Sequence, residues 1–525
     1  MKHSLAALLG CSALIFCMPL RSAAQAGTLD STFGNSGLVI IDVNNSDEAY
    51  SLAVQPDGKI LVAGYTSAGS ADFLLLRLNV DGTPDNSFGS GGAVQTDFFQ
   101  NTDYAEEVLQ QPDGKIVLAG RARNNTSSGY DFAAARYLPN GTPDSSFGLN
   151  GKVSTPVTMS IDWGYSSALQ PDGKLLISGY SSADAILVRY NTDGSLDTSF
   201  NGSGIVYSGI SSGGTDEGWF VLVQPDGKIL TGGRTWDSIS NYSAFGIARH
   251  HSDGSLDTAF GAGGKVVTNI GSGDDIAYDA ALQPDGKVIL AGYAAAWNNS
   301  SANAALVRYN TDGSLDNTFG NGGMITFPIG ANPYAAMHTI TLQPDGKIVV
   351  GGKSGPTANM DACLVRLLGN GTIDTTFNGF GIVGLPLDAS DDAVFATFLQ
   401  ADGKLLAAGM TTVTANAEVD LFVARCLSDL NMGAVDFSAQ DNSVYVYPNP
   451  VAAEATLAYT LLQDEKISVY VTDALGKIVC TPLGVEMQSA GVHHQPLLLP
   501  GELASGTYFI VLSSARGKVS VKFVK

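Results

Sequence analysis

Gln55-Pro56-Asp57-Gly58-Lys59-Ile60-Leu61-Val62-Ala63-Gly64 occupies positions 55–64 of the chain. Pro56 presets φ, Asp57 accepts a local hydrogen bond and Gly58 supplies a positive φ, so Pro-Asp-Gly is a tight turn. Residues 50–55 run into it, and residues 60–64, apolar and partly β-branched, run out of it. The stretch therefore predicts a β-hairpin. Outward from it, 37–41 predicts a strand before the hairpin and 73–78 one after it. Asp81-Gly82 then turns toward Pro84-Asp85-x-x-Phe88-Gly89, where the next unit begins. No helical period appears, so the unit is four short strands.

The unit recurs. The hairpin lysine stands at 59, 115, 174, 228, 287, 347 and 404, at spacings of 56, 59, 54, 59, 60 and 57 residues. The last copy has Ala401 in place of Pro. A Leu-Asp-x-x-Phe motif, or a close variant, places Phe at 33, 88, 147, 200, 260, 319 and 377. A third motif places Arg at 77, 136, 189, 249, 308, 366 and 425. Three motifs in one order mark an internal repeat. One four-stranded sheet cannot bury both faces alone, but sheets set radially bury each other's. The prediction is all-β: a seven-bladed β-propeller of four-stranded blades over 27–430. An open β-solenoid is the alternative, although solenoid coils usually repeat at a shorter period. The units run in phase from Leu29 to about Leu427, which lets the first strand complete the last sheet. The Q-P-D-G-K-[IL]-x-x-x-G core, the later Arg and the D-G-x-[LP]-D-x-x-F close resemble the delta-60 repeat family. That resemblance implies a propeller and no established activity.

Gly is 62 of 525 residues and charged residues are 15%, with a formal net charge of −22. Excess Gly without a three-residue period suggests turns and excludes collagen. The negative surface argues against nucleic acid as a partner. Lys2, the apolar run 5–20 and Ala24-Gln25-Ala26 predict a secretory signal peptide over 1–26. A lipoprotein site at Leu8-Leu9-Gly10-Cys11 fits less well, because apolar residues continue past the cysteine. No later stretch has the ~18 apolar residues of a membrane span, so the mature chain is expected to carry none. Cys363, Cys426 and Cys480 remain, with no spacing that suggests a disulfide framework or a zinc site.

A different module follows a polar linker at 431–443. Residues 27–437 carry 20 Lys+Arg against 43 Asp+Glu, whereas 438–525 carry 6 against 7. The repeat motifs stop, and alternating stretches such as 455–459, 467–471 and 507–512 predict a small Ig-like β-sandwich over 444–525. Val446-Tyr447-Pro448-Asn449-Pro450, Asp473-Ala474-Leu475-Gly476-Lys477, Ser505-Gly506-Thr507-Tyr508 and Lys522-Phe523-Val524-Lys525 occur in that order. They resemble the type A C-terminal sorting domain of the type IX secretion system. The resemblance implies the secretion machinery as partner, passage through the periplasm, and delivery to the medium or the outer-membrane surface, often with removal of the domain. A carbohydrate-binding or adhesion sandwich is the alternative.

Candidate chemistry is sparse. The histidines of the mature chain, His250, His251, His338, His493 and His494, have no metal-binding spacing, and no catalytic or phosphate-binding motif appears. A site occurs once and a scaffold contact occurs in every unit. The repeated Arg is therefore expected to pair with the linker Asp (85, 144, 197, 257, 316, 374) as a clamp between blades. A further acid recurs twelve residues before the hairpin Lys, at Asp47, Asp103, Asp162, Asp216, Asp275 and Asp392, with Ala335 in the sixth unit. A strand-capping turn is preferred over a Ca²⁺ ring, since Ca²⁺ takes 6–8 oxygens. No cofactor is expected, with Ca²⁺ the one alternative. Asn191-Thr192-Asp193-Gly194-Ser195-Leu196-Asp197 places Gly too early for an EF-hand and is expected to be a turn.

The loops after the third strand vary between units and face away from the hairpins. They carry Trp236 and Trp297, and Tyr65, Arg121, Tyr180, Arg234 and Tyr293 stand directly after the third-strand Gly. Aromatics among amides suit stacking on a glycan or peptide, so these seven are the candidate ligand-binding residues. Ordinary loop variability is the alternative. The expected role is a surface or secreted binding and scaffold protein. The other role is a secreted enzyme on polysaccharide or peptide, disfavoured by the lack of a catalytic cluster.

Overall fold

A computed structural model describes residues 25–429 apart from 126–128, 160, 212, 238, 331–332, 357–358, 388–390 and 414–417. It also describes 444–525 apart from 448–453, 462–464, 474–477, 490, 500–505 and 515–516. The signal peptide up to residue 24, the linker 431–443, Pro448-Asn449-Pro450 and the 474–477 turn lie outside the described residues.

The first strands are β1 (Leu38–Ile41), β2 (Ser46–Val54), β3 (Ile60–Ser67), β4 (Ala71–Leu78) and β5 (Ala93–Thr96). The sheet β2-β3-β4-β5 is an antiparallel meander, with Gln55 to Lys59 as its first turn. The same meander recurs in every later repeat, and a short 3-10 turn spans Trp297–Asn299. The last repeat has three strands of its own, Asp392–Leu399, Leu405–Val413 and Glu418–Cys426. Its fourth is β1, paired antiparallel as Leu38↔Ala424 and Val39↔Val423. The N-terminal strand thus completes the C-terminal sheet. Each innermost strand packs on that of the next repeat, and Asp392–Leu399 packs back on β2. Apolar residues of adjacent sheets share cores, as Phe33, Val62 and Leu76 do with Leu406 and Val423. The architecture is a β-propeller.

The repeated motifs meet in one contact. In all seven repeats the Arg guanidinium bonds the Asp at 2.7–2.8 Å, and in the last repeat that Asp is Asp30. The hairpin Lys reaches the same carboxylate at 2.8–3.8 Å. The guanidinium also lies 4.2–4.7 Å over the ring of the motif Phe. Its Nη1 then donates to a carbonyl in the next repeat, such as Pro139 from Arg77 and Ser252 from Arg189. Arg425 donates to Val80 and so joins the last repeat to the first. Arg366 instead bonds the Asp429 carboxylate. The clamp expected between Arg and linker Asp is present, with Lys and Phe as further members.

The tail forms two sheets. One holds Val444–Tyr447, Glu454–Leu461 and Gly491–Leu498, and the other holds Glu465–Asp473, Ile478–Gln488, Thr507–Ser514 and Gly517–Val524. Leu457, Tyr459 and Leu497 of the first share a core with Ile467, Val469 and Ile510 of the second.

Candidate functional site: the central channel

Every innermost strand carries one extra residue. The register of β2 against β3 skips between Ala49 and Ser51, and the same skip occurs at the matching place in each repeat. The residue left over stands nine positions before the hairpin Lys: Tyr50, Glu106, Tyr165, Trp219, Tyr278, His338 and Phe395. A bulge re-aims its side chain, and here all seven line one cavity of about 610 Å³ on the axis of the ring.

The conserved form of the hairpin motif builds this bulge. Its final Gly has no Cβ, and the inner-strand backbone takes that space. A Cβ on Gly64 would lie 1.8 Å from the Glu48 carbonyl oxygen, and one on Gly179 would lie 1.8 Å from that of Trp163. A glycine within a strand often marks such a close approach.

Six of the seven bulge residues form a nearly continuous aromatic collar. Tyr165 and Trp219 stack with centroids 4.0 Å apart. Trp219 meets Tyr278 at 5.3 Å, Tyr278 meets His338 at 4.6 Å, His338 meets Phe395 at 5.3 Å and Phe395 meets Tyr50 at 5.5 Å. The remaining gap holds Glu106, paired with Arg121 at 2.6 Å, and that guanidinium lies 5.5 Å over Trp163. Below the collar, toward the hairpins, stand Ser51, Glu107, Ser166, Asp279 and Thr339.

Burial dominates the titration of this cavity. It pushes the Glu106 carboxyl up to about 7 against the pull of Arg121, Glu107 to about 8 and Asp279 to about 6. Glu48 is raised for the same reason, although Tyr65 donates to it at 2.8 Å. Burial lowers the His338 imidazole to about 3, so it is neutral.

Of the residues expected to bind ligand, Arg121 lines the cavity. Tyr65, Tyr180, Arg234 and Tyr293 ring its mouth, each opposite an inner-strand residue: Glu48, Trp163, Glu217 and Ile276. Arg234 is ion-paired to Glu217 at 3.0 Å. Trp236 and Trp297 do not line the channel. The Trp236 ring covers Gly214, whose added Cβ would lie 2.1 Å from the Trp236 Cβ. Trp297 is 65% exposed and meets Tyr242 edge-on at 6.0 Å. The tryptophans that do face the channel lie on inner strands, Trp219 at a bulge and Trp163 two residues before one.

The recurrent acid caps the loop entering the inner strand. Asp47 accepts from the Val43 and Asn44 amides at 2.6 and 3.0 Å, and Asp216 accepts from Ile210 and Ser211 at 2.7 and 3.1 Å. Among the described residues, two groups bring three carboxylates within 4.8 Å: Asp42, Asp47 and Asp420, and Asp72, Asp97 and Asp103. Oδ2 of Asp47 already accepts from two backbone amides, and the two oxygens of Asp103 accept from one amide each. Asp193-Gly194 is a turn, with Ser195 N–H donating to Asp193 at 2.9 Å and Gly194 at φ +85°. His250 is buried and bonded to Ser208 at 2.8 Å.

These features define a repeat β-propeller whose non-repeating side chains converge on its axis, joined to a small β tail. Both parts match known families. Residues 55–88, 111–147, 170–200, 224–260, 283–319 and 343–377 match the β-propeller family described as a domain of unknown function, DUF5122. Each match runs from the hairpin Gln to the motif Phe, and the copy with Ala401 is not matched. Residues 445–525 match the secretion system C-terminal sorting domain. The chain is therefore addressed through the type IX secretion system to the cell surface or the medium. No helix among the described residues is long and apolar enough to cross a membrane. None of the curated proteins matches the chain. Similar solved structures include PorZ, a surface component of the type IX system of Porphyromonas gingivalis, at 14% identity and TM-score 0.36. That match covers 91% of this chain, which spans 59% of the PorZ chain. The β-propeller domain of the Trilobed protease from Pyrococcus furiosus matches at 12% identity and TM-score 0.37, covering 72% of this chain and 96% of that one.

Proposed function

We propose that this is an exported ligand-binding protein: a seven-bladed propeller of the delta-60 repeat kind over 27–430, carried by an Ig-like sorting domain over 444–525. Its binding site is the central channel, entered from the mouth ringed by Tyr65, Tyr180 and Tyr293. One observation carries this reading. The bulge position is built identically in every repeat, yet holds Tyr, Glu, Tyr, Trp, Tyr, His and Phe in turn. A scaffold contact repeats its residue, as the Arg–Asp clamp does. A position that keeps its geometry and varies its chemistry suits recognition of one asymmetric ligand. The test is a screen of the purified protein against glycan and peptide arrays, repeated with Trp219→Ala. Loss of the selected ligand with an unchanged thermal midpoint supports the channel. Retained binding in Trp219→Ala, Tyr278→Ala and Tyr165→Ala alike sinks it.

The second role, an enzyme on polysaccharide or peptide, draws support from Glu107 and Asp279, carboxyls raised by burial to about 8 and 6 in one cavity. A carboxyl neutral near pH 7 is what a general acid requires. Hydrolysis of an array ligand by wild type, abolished in Glu107→Gln, would favour that role over binding.

A further inference from the structure

The charges facing the channel do not balance. Glu106 has Arg121, and Glu217 has Arg234. Glu48 feels the charge of Lys353 at the mouth and takes a bond from Tyr65. Glu107 and Asp279 have no ion pair among the described residues. Glu107 accepts from the Ser51 hydroxyl at 2.7 Å, and Asp279 accepts from the amides of Ile340 and Ala280 at 2.9 and 2.7 Å. They lie below the aromatic collar and repel one another when ionised. The Ser166 side chain hydrogen-bonds Glu107 and the Thr339 side chain hydrogen-bonds Asp279, both from the cavity wall. Two carboxyls without a counter-charge, reached past aromatic rings, are complementary to a cation on an apolar stem. Ring faces attract such a cation, and desolvation strengthens the attraction.

Given the channel as the ligand site, we propose that it takes a primary ammonium group, threaded through the collar of Tyr165, Trp219 and Tyr278 and held by Glu107 and Asp279. The same chemistry is offered by a lysine side chain of a peptide and by a free aliphatic diamine.

Protonation supports the assignment and gives it a signature. Burial leaves Glu107 near 8 and Asp279 near 6, so at pH 7 the pair holds about one proton. An ammonium between them favours both ionised forms, so binding expels that proton and tightens as pH rises from about 6 to 8. The other groups facing the cavity work differently. Glu106, raised by burial to about 7, also titrates in this range but already has Arg121 as its counter-charge, His338 stays neutral, and burial raises the phenols of Tyr165 and Tyr278 away from this range. Glu48, Glu217, Arg234 and Lys353 sit at the mouth, above the collar.

The test uses the full-length exported protein and three probes in a calorimeter: N-acetyl-lysine methylamide, 1,5-diaminopentane and the neutral N-acetyl-norleucine methylamide. The expected result is that an ammonium probe binds at least about tenfold more tightly than norleucine, with proton release seen as a heat that depends on the buffer. A tighter lysine probe names a peptide as the source, and a tighter diamine names a free amine. Glu107→Gln with Asp279→Asn should cost about tenfold or more in affinity. Should that variant not fold, the buffer-dependent heat of the wild type still decides. Equal binding of norleucine, or a neutral glycan bound in a Trp219-dependent way, overturns the ammonium and leaves the channel standing. Ligands that bind without regard to the collar residues overturn both.

Discussion

Arg189→Ala removes one clamp. The Arg189 side chain is 7% exposed. Its Nε donates to Asp197 at 2.7 Å, its Nη1 donates to the Ser252 carbonyl and to Gln170, and its guanidinium lies 4.2 Å over Phe200. A hydrogen bond with a charged partner contributes about 1.5–3 kcal/mol, and the ring contact adds about 1 kcal/mol. Breaking a buried ion pair costs about 3–5 kcal/mol when one charge is left alone. Asp197 is not left alone, because Lys174 stays 2.8 Å away. The expected loss is therefore about 2–4 kcal/mol, at or below the isolated-charge figure. Lys174→Ala alone, with its side chain 26% exposed, should cost under about 1 kcal/mol. The double variant should exceed the sum by about 1 kcal/mol or more, since only then is Asp197 stranded. Urea unfolding followed by tryptophan fluorescence measures all three. An Arg189→Ala midpoint within error of wild type, or strict additivity in the cycle, would refute the clamp.

Other consequences follow from the same contacts. Gly179→Ala should destabilise the third repeat by about 2 kcal/mol or more and lower ligand affinity, because its Cβ meets the Trp163 carbonyl; Gly173→Ala, with only Thr192 Cγ2 at 3.1 Å, should spare affinity in the same assays. Glu107 has a folded pKa raised by burial, so its contribution is complete below about pH 4 and is lost as pH rises through about 8; the stability of wild type should fall over that window more steeply than that of Glu107→Gln. Asp30 is the opposite case. Bonds from Thr32 and Lys404 and the charge of Arg425 outweigh burial and hold it at about 2, so its contribution is present above about pH 4 and lost as pH falls through about 2; Asp30→Asn should flatten the acid limb of the unfolding curve. Deleting 444–525 should leave the propeller's near-UV circular dichroism unchanged and retain the protein in the periplasm; normal export of the truncated chain would contradict the address.

The fold and the clamp were legible because they repeat. Arg189, Asp197 and Phe200 have counterparts in every unit, so their pairing could be inferred from spacing alone. The channel was not legible by that logic. Its residues differ from unit to unit, and a one-residue bulge breaks the alternation that assigns strand faces. Tyr50 and Trp219 therefore read as ordinary strand positions. The signal that could have found them is the glycine ending each hairpin motif, such as Gly64 and Gly179, since a glycine fixed inside a strand points to a bulge opposite. Arg121 and Tyr65 are legible because they follow that glycine, which sets them beside the channel. Trp236 and Trp297 stand out in the sequence as aromatics among polar residues, but Trp236 lies within a strand, Ile229–Asp237, and not in a loop. One covers Gly214 and the other stands on a 3-10 turn, and neither position could be read from composition.

The four tryptophans divide evenly, Trp163 and Trp219 on the channel and Trp236 and Trp297 outside it. That division permits one direct measurement. Fluorescence titration of the array-selected ligand is carried out on Trp236→Phe/Trp297→Phe and, separately, on Trp163→Phe/Trp219→Phe. Binding in the central channel predicts a saturable emission change in the first protein and none in the second. A change confined to the second protein would place the ligand on the outer loops and contradict the account.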